Sequence, residues 1–171
     1  MMIVPIKRIL LEGQIHINDL DKKVGYQQSN KILSNLHQQK FGSTLNDDII
    51  NDWRSNSNIT FNHLDENPNN INGFIRTKTL RNDDENSKYY HALESLTKRN
   101  PNAINYISDL ASIEKGTGKA LLNNLPNTNP IVLRAWNKDL IPYYKAHGFQ
   151  QLIHPEIRGK MNMYKLNEEQ K

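Results

Sequence analysis

Apolar positions recur two apart in some stretches of the chain and three to four apart in others, and the switch between the two periods marks out its elements. GQIHIND, Gly13 to Asp19, alternates and predicts a short strand with Ile15 and Ile17 on one face and His16 on the other. Helical spacing follows: Ile32, Leu33 and Leu36 within Tyr26–Gln39, then Leu45, Ile49, Ile50 and Trp53 within Thr44–Arg54, with Gly42-Ser43 as the break. Residues Ser55 to Gly73 are dense in Asn, Ser and Asp, and only Ile59 and Phe61 alternate, as an edge strand would.

GFIRTKTL, Gly73 to Leu80, alternates again and predicts a strand. From Asp84 to Arg99, Tyr89, Tyr90, Leu93 and Leu96 keep helical spacing behind an acidic first turn, where the helix dipole favours negative charge, and Asn100-Pro101 closes the helix. AINYISDLASI, residues 103 to 113, is a β-prone run between Pro101 and Gly116 and reads as a buried central strand. Lys119–Leu125 is a short helix stopped by Pro126, and Pro130–Trp136 a strand. Asp139–His147 is a helix ended by Gly148, with Pro142 tolerable only in its first turn. Phe149–Ile153 and Lys160–Leu166 close the pattern as strands before a frayed tail. The order is that of an alternating α/β chain without internal repeats.

Length and composition narrow the function. A chain of 171 residues suits one domain, and 36% hydrophobic with 23% charged residues lies outside the disordered class. The absence of cysteine removes disulfides, thiolate metal sites and a cysteine nucleophile. The opening MMIVPIKRILLEG is too short and too interrupted by Lys7 and Arg8 for a leader core, and no stretch reaches a membrane span, so no membrane partner and a cytoplasmic setting are expected. A net charge of +4 leaves a nucleic-acid partner open without favouring it, because Lys and Arg are scattered among acids along the chain. The six histidines show no ligand spacing, so no metal is expected.

One stretch carries chemistry. In SIEKGTGKALL, Ser112 to Leu122, a strand meets a helix through a glycine-containing turn, which places unsatisfied N–H groups and a positive dipole end where an anion would rest. Such a turn also occurs with no ligand at all. A P-loop is excluded, because Gly118-Lys119 is followed by Ala120 rather than a hydroxyl residue, and so is the dinucleotide fingerprint, which lacks its third glycine. Further along stands PIVLRAWNKDLIPYYKAHGFQQL, residues 130 to 152.

Together the two stretches resemble the GNAT superfamily of acyl-CoA-dependent N-acetyltransferases. Gly116 and Gly118 match the glycines of its pyrophosphate loop, Asn137 its asparagine after the following strand, and Tyr144, Gly148 and Phe149 its closing Tyr-x-x-x-Gly-Phe signature. One position departs, since Ile113 stands where the loop usually has Arg or Gln. The resemblance covers residues 103 to 150 and implies a single GNAT domain over 1–171. That domain would be a mixed, mostly antiparallel sheet of about six or seven strands flanked by helices, with its coenzyme-binding core at about residues 73 to 166.

It further implies acetyl-CoA as co-substrate and an amine as acceptor. The coenzyme would be held by Glu114, Lys115, Gly116, Thr117, Gly118 and Lys119, with Asn137 on the pantetheine arm. A main-chain N–H within Leu110, Ala111 and Ser112 would stabilise the oxyanion, and Tyr144 would be the acid toward sulfur. Asp109 is the candidate base or water-holding carboxylate, although an Asp in a strand is equally suited to solvent. Tyr144 would otherwise be a core aromatic and Asn137 a helix cap. A GNAT-like protein that binds a partner with little catalysis is the rival reading, and the oligomeric state stays open, a dimer included.

Overall fold

The computed structural model describes residues 13–65 and 67–171, so the N-terminal run read above as no leader lies outside the described residues. In chain order the elements are β1 (Gly13–His16), α1 (Ile17–Val24), α2 (Tyr26–Phe41), α3 (Asp47–Asn56), β2 (Asn58–His63), β3 (Ile71–Leu80), α4 (Ser87–Thr97) and β4 (Ile104–Ser112). They continue with α5 (Thr117–Asn123), β5 (Ile131–Arg134), a 3-10 turn (Lys138–Leu140), α6 (Ile141–Ala146), β6 (Gln150–Gln151) and β7 (Asn162–Lys165). The strands hydrogen-bond in the order β1-β2-β3-β4-β5-β7-β6. β4 and β5 run parallel, while β1 with β2, β5 with β7 and β6 with β7 run antiparallel. The described chain divides into two compact units.

One unit holds the chain up to Arg76 together with Asp109–Asn124. Alternation predicts a strand through Asp19, yet β1 stops at His16. There the imidazole Nδ1 accepts a hydrogen bond from the N–H of Asn18 at 3.1 Å and starts a helix instead. Ile17 and Leu20 are then buried as a helical i, i+3 pair. Asn46 caps α3 in the same way, its Oδ1 accepting from Ile49 N at 2.9 Å, so that helix begins later than Thr44. β2 is an interior strand between β1 and β3 rather than an edge, which explains why Ile59 and Phe61 are fully buried amid a polar stretch. Leu33, Leu36, Ile50, Ile71 and Phe74 join them in one core.

A polar clamp ties the helices of this unit. Arg54 donates to both carboxylate oxygens of Asp21, at 2.7 and 2.9 Å, and twice to Asn30 Oδ1, at 3.0 and 2.8 Å, with its guanidinium 4.2 Å above the Tyr26 ring. Burial raises the Asp21 carboxyl's pKa, but hydrogen bonds from Arg54 and Ser29 and the Arg54 charge outweigh it and hold the group below its ordinary value.

The other unit holds Thr77–Ser108 and Leu125–Lys171. Helix α4 starts at Ser87, after the acidic run that the sequence assigns to its first turn, because Asp83 Oδ1 accepts from Asn86 N at 3.1 Å and holds that run as a turn. Tyr90 and Leu93 of α4 pack with Ile104, Val132 and Leu152, and the Tyr90 hydroxyl donates to Leu80 O at 2.6 Å. The tail expected to fray is docked: Asn167 donates to Asn127 O at 2.6 Å, Gln170 to Thr128 O at 3.0 Å, and Arg99 to Glu169 O at 3.1 Å.

Candidate functional site

The turn between β4 and α5 belongs wholly to the first unit. Ile113 N donates to Asn72 O at 3.0 Å, Thr117 N to Glu114 O at 3.3 Å, and the Ser112 hydroxyl to Glu114 O at 2.7 Å. Gly116 follows with φ +91°, the left-handed conformation that glycine adopts without penalty. A Cβ at Gly116 would meet nothing within 4 Å, so backbone conformation rather than crowding requires glycine there. Gly116 is also the N-cap of α5 and supplies no side chain to cap it. The first-turn N–H groups are thus left without the oxygen that a Ser or Asp cap would provide. Lys115 and Lys119 are exposed beside this turn, whereas Thr117 and Gly118 are buried. Ile113, at the usual Arg or Gln position, is 40% exposed.

Gly73, which sequence reading treats only as the start of a strand, proves central to this turn. A Cβ on it would lie 2.6 Å from Ala111 O and 2.8 Å from Thr117 Cγ2, so β3 passes the end of β4 and the start of α5 at a distance only glycine permits. Gly-Phe-Ile in an alternating run carries no signal of such a contact; it emerges once strand order is known. Leu110, Ala111 and Ser112 lie on the last stretch of β4, with Ala111 fully buried against Gly73 and Leu110 and Ser112 half-buried.

Asp109 stands one residue before them and is already engaged. Its Oδ2 accepts from Arg76 Nε at 2.6 Å, the Arg76 guanidinium lies 4.1 Å from the Trp53 ring centroid, and its Nη1 reaches Ser57 Oγ at 3.5 Å. Neither Arg76 as the partner of Asp109 nor Trp53 beneath Arg76 is identifiable from sequence. The only trace is one acid on β4 and two cations, Arg76 and Lys78, on β3, and which of them meet is decided by how the strands lie together.

The remaining candidates belong to the second unit. The Asn137 side chain accepts from Asp139 N at 2.9 Å and caps the 3-10 turn ahead of α6, so its capping role is realised through Oδ1, which leaves its Nδ2 as a donor with no bond among the described residues. Tyr144 is 9% exposed and meets Tyr143 and Phe149 edge-on, with ring centroids 5.3 and 5.8 Å away. Burial, helped by the neighbouring Tyr143, pushes its phenol pKa up to about 12. Tyr144 therefore keeps its proton at any physiological pH.

The geometry also explains the Tyr-x-x-x-Gly-Phe spacing. Gly148 at φ +91° ends α6, its N–H donates to Lys145 O and the Phe149 N–H to Tyr144 O, both at 3.1 Å, while the Phe149 ring packs on that of Tyr144. This is a Schellman termination with its hydrophobic contact, which sets the depth and direction of the Tyr144 side chain.

No protein-family model and no curated protein matches the chain by sequence. Solved structures do match. The Escherichia coli ribosomal-protein-S18-alanine N-acetyltransferase aligns over 91% of this chain and 93% of its own, at 12% identity and a TM-score of 0.57. AtaT complexed with acetyl-methionyl-tRNAfMet aligns over 92% and 96%, at 12% identity and 0.56. Arabidopsis thaliana NAA60 in complex with acetyl-CoA aligns over 90% and 96%, at 17% identity and 0.54. With the seven-stranded mixed sheet and its parallel β4–β5 pair, these likenesses give the chain the fold of the GNAT superfamily.

Proposed function

We propose that the chain transfers an acetyl group from acetyl-CoA to an amine. The observation that carries this reading is the uncapped first turn of α5, entered through the left-handed Gly116 directly after β4 in a GNAT fold. Acetyl-CoA accompanies one structure of that fold, and an acetylated aminoacyl-tRNA another, which supports the same co-substrate here.

On this reading the main chain of Glu114–Lys119 takes the pyrophosphate, Lys115 and Lys119 add positive charge, and Asn137 uses its Nδ2 on the pantetheine arm. A neutral amine attacks the thioester carbonyl, the new C–N bond forms, and the carbonyl oxygen takes up the displaced electron pair as an oxyanion. A β4 N–H within Leu110–Ser112 stabilises it. As the tetrahedral state collapses, the C–S bond breaks and the sulfur receives a proton from the Tyr144 phenol, which regains one from the attacking nitrogen through water. Asp109, with Oδ2 held by Arg76, has Oδ1 to orient that water rather than act as a strong base.

Calorimetric titration with acetyl-CoA tests the first half: a measurable heat is expected, and none at millimolar coenzyme would end the proposal. The exposed Ile113 favours a second reading, a GNAT-fold protein that binds a partner without turnover. Coenzyme binding with no thiol release toward any amine in a broad panel would select it.

A further inference from the structure

Two asparagines lie side by side in the buried sheet of the first unit. Asn62 of β2 and Asn72 of β3 are 7% and 2% exposed, next in sequence to the buried Phe61 and Ile71. A buried amide is costly unless its donors and acceptors are met, so the bonds these two make show what they hold in place. The Asn62 Nδ2 donates to the Asn72 Oδ1 at 2.9 Å, and the Asn72 Nδ2 donates in turn to the Glu114 Oε2 at 3.5 Å. The order of the chain follows from its end. An ionised carboxylate accepts and cannot donate, so it must meet the amide nitrogen of Asn72, which leaves the amide oxygen for Asn62.

Asn72 holds the β4–α5 turn a second time through its main chain. Its carbonyl oxygen accepts from Ile113 N at 3.0 Å, and the next residue, Gly73, lies against Ala111 O and Thr117 Cγ2. Residues 72 and 73 of β3 thus form the floor of the turn. Any residue at position 72 carries that carbonyl, so the distinct effect of an asparagine side chain there falls on the Glu114 carboxylate.

That carboxylate stands in an exposed place. Between Leu110 and Lys138 the sequence has a single acid, Glu114, and it opens the segment whose main chain takes the coenzyme's pyrophosphate. Its backbone is fixed, because Glu114 O accepts from the Ser112 hydroxyl at 2.7 Å and from Thr117 N at 3.3 Å. Only its side chain has room to turn, and a carboxylate turned toward bound phosphates repels them. We propose that Asn72, oriented by Asn62, is a positioning residue for the coenzyme: by drawing the Glu114 carboxylate back onto β3, it keeps the one negative side chain of the loop off the pyrophosphate. The role rests on the acetyl-CoA reading of the loop, whereas the tether is a property of the chain itself.

Calorimetric titration of the full chain with acetyl-CoA, at low and at high salt, tests the role. Asn72→Leu frees the carboxylate at similar side-chain volume, and should weaken binding roughly tenfold, as a carboxylate about 6 Å from two phosphate charges in water does. The difference from wild type should shrink at about 1 M salt, where charges are screened beyond about 3 Å. In a Glu114→Gln background the same Asn72→Leu change should alter the affinity by less than about twofold, because the repelling charge is gone. Wild-type affinity in Asn72→Leu, or an equal loss with and without the Glu114 charge, overturns the role and leaves Asn72 as plain support for the turn.

A nitrogen-15 spectrum of the unliganded protein reads the tether without the coenzyme and without relying on the fold of Asn72→Leu. The Asn72 side-chain amide peaks should move as acid protonates Glu114 and stay in place in Glu114→Gln. Peaks indifferent to Glu114 overturn the proposal whatever the calorimetry gives. Moving peaks with no acetyl-CoA heat in the wild type would sink the coenzyme reading and the positioning role with it, while keeping the tether; heat that Asn72→Leu leaves unchanged would sink the positioning role alone.

Discussion

Tyr144 serves two ends at once, and its ionisation separates them. Its phenol pKa rises from 10.0 to about 12 on folding, so the folded state favours the protonated form. The stability this gives is complete below pH 10, the unfolded value, and is lost as pH climbs from 10 toward 12. The size is about 2.7 kcal/mol for two pKa units, an order-of-magnitude figure. Denaturant unfolding followed from pH 9 to 12 should therefore show a steeper fall for the wild type than for Tyr144→Phe. The same variant should bind acetyl-CoA normally but lose about a hundredfold in kcat if the phenol supplies the proton. Full turnover would remove it from that role. Arg54 gives a contrasting case without chemistry: Arg54→Ala takes the counter-charge from the Asp21 carboxylate and the guanidinium donors from the buried Asn30 oxygen, and should cost about 3 kcal/mol in chemical denaturation. Because Asp21 has a lowered pKa, the clamp's contribution is present above the ordinary carboxylate range and is lost as pH falls through the lowered value.

Two glycines of similar appearance in the sequence do different work in their elements. Gly73→Ala places a methyl 2.6 Å from a backbone oxygen and 2.8 Å from Thr117, which forces β3 away from β4 and α5, and should destabilise by about 3 kcal/mol. Gly116→Ala meets no atom and should cost only the left-handed strain, about 1 kcal/mol, while disturbing coenzyme binding more than stability. Thermal unfolding and calorimetry on both variants check the ordering. Element limits show a comparable division. Helical periodicity placed α2 and α6 closely, whereas α1, where alternation predicts a strand, starts on the His16 cap, and the Asn46 cap and the Asp83 turn set later starts for α3 and α4, all through single side-chain hydrogen bonds that periodicity does not register. The C-terminal turn is a further case, because its polar residues resemble a loose tail until their carbonyl partners at Asn127 and Thr128 are in place. Deleting residues 167–171 should lower stability by about 2 kcal/mol, given hydrogen bonds worth about 1 kcal/mol each.

At the scale of the whole molecule, the alternating order of strands and helices, the glycine turn after β4 and the end of a helix at Gly148 were legible from residue spacing, and the Tyr-x-x-x-Gly-Phe signature from family resemblance. These are local properties: a hydrophobic period, a left-handed φ and a Schellman termination each involve residues within a few positions of one another. Composition likewise determined that no disulfide or thiolate chemistry is available. Tertiary structure alone decided that β2 is interior, that Gly73 lies against Ala111 and Thr117, and that Asp109 is held by an arginine 33 positions away and stacked on Trp53. It also set Asn72 between Asn62 and Glu114. The reason is common to all four: strand order and register are set by how whole faces bury together, and residues distant in sequence acquire a shared chemistry only after that burial has chosen their neighbours.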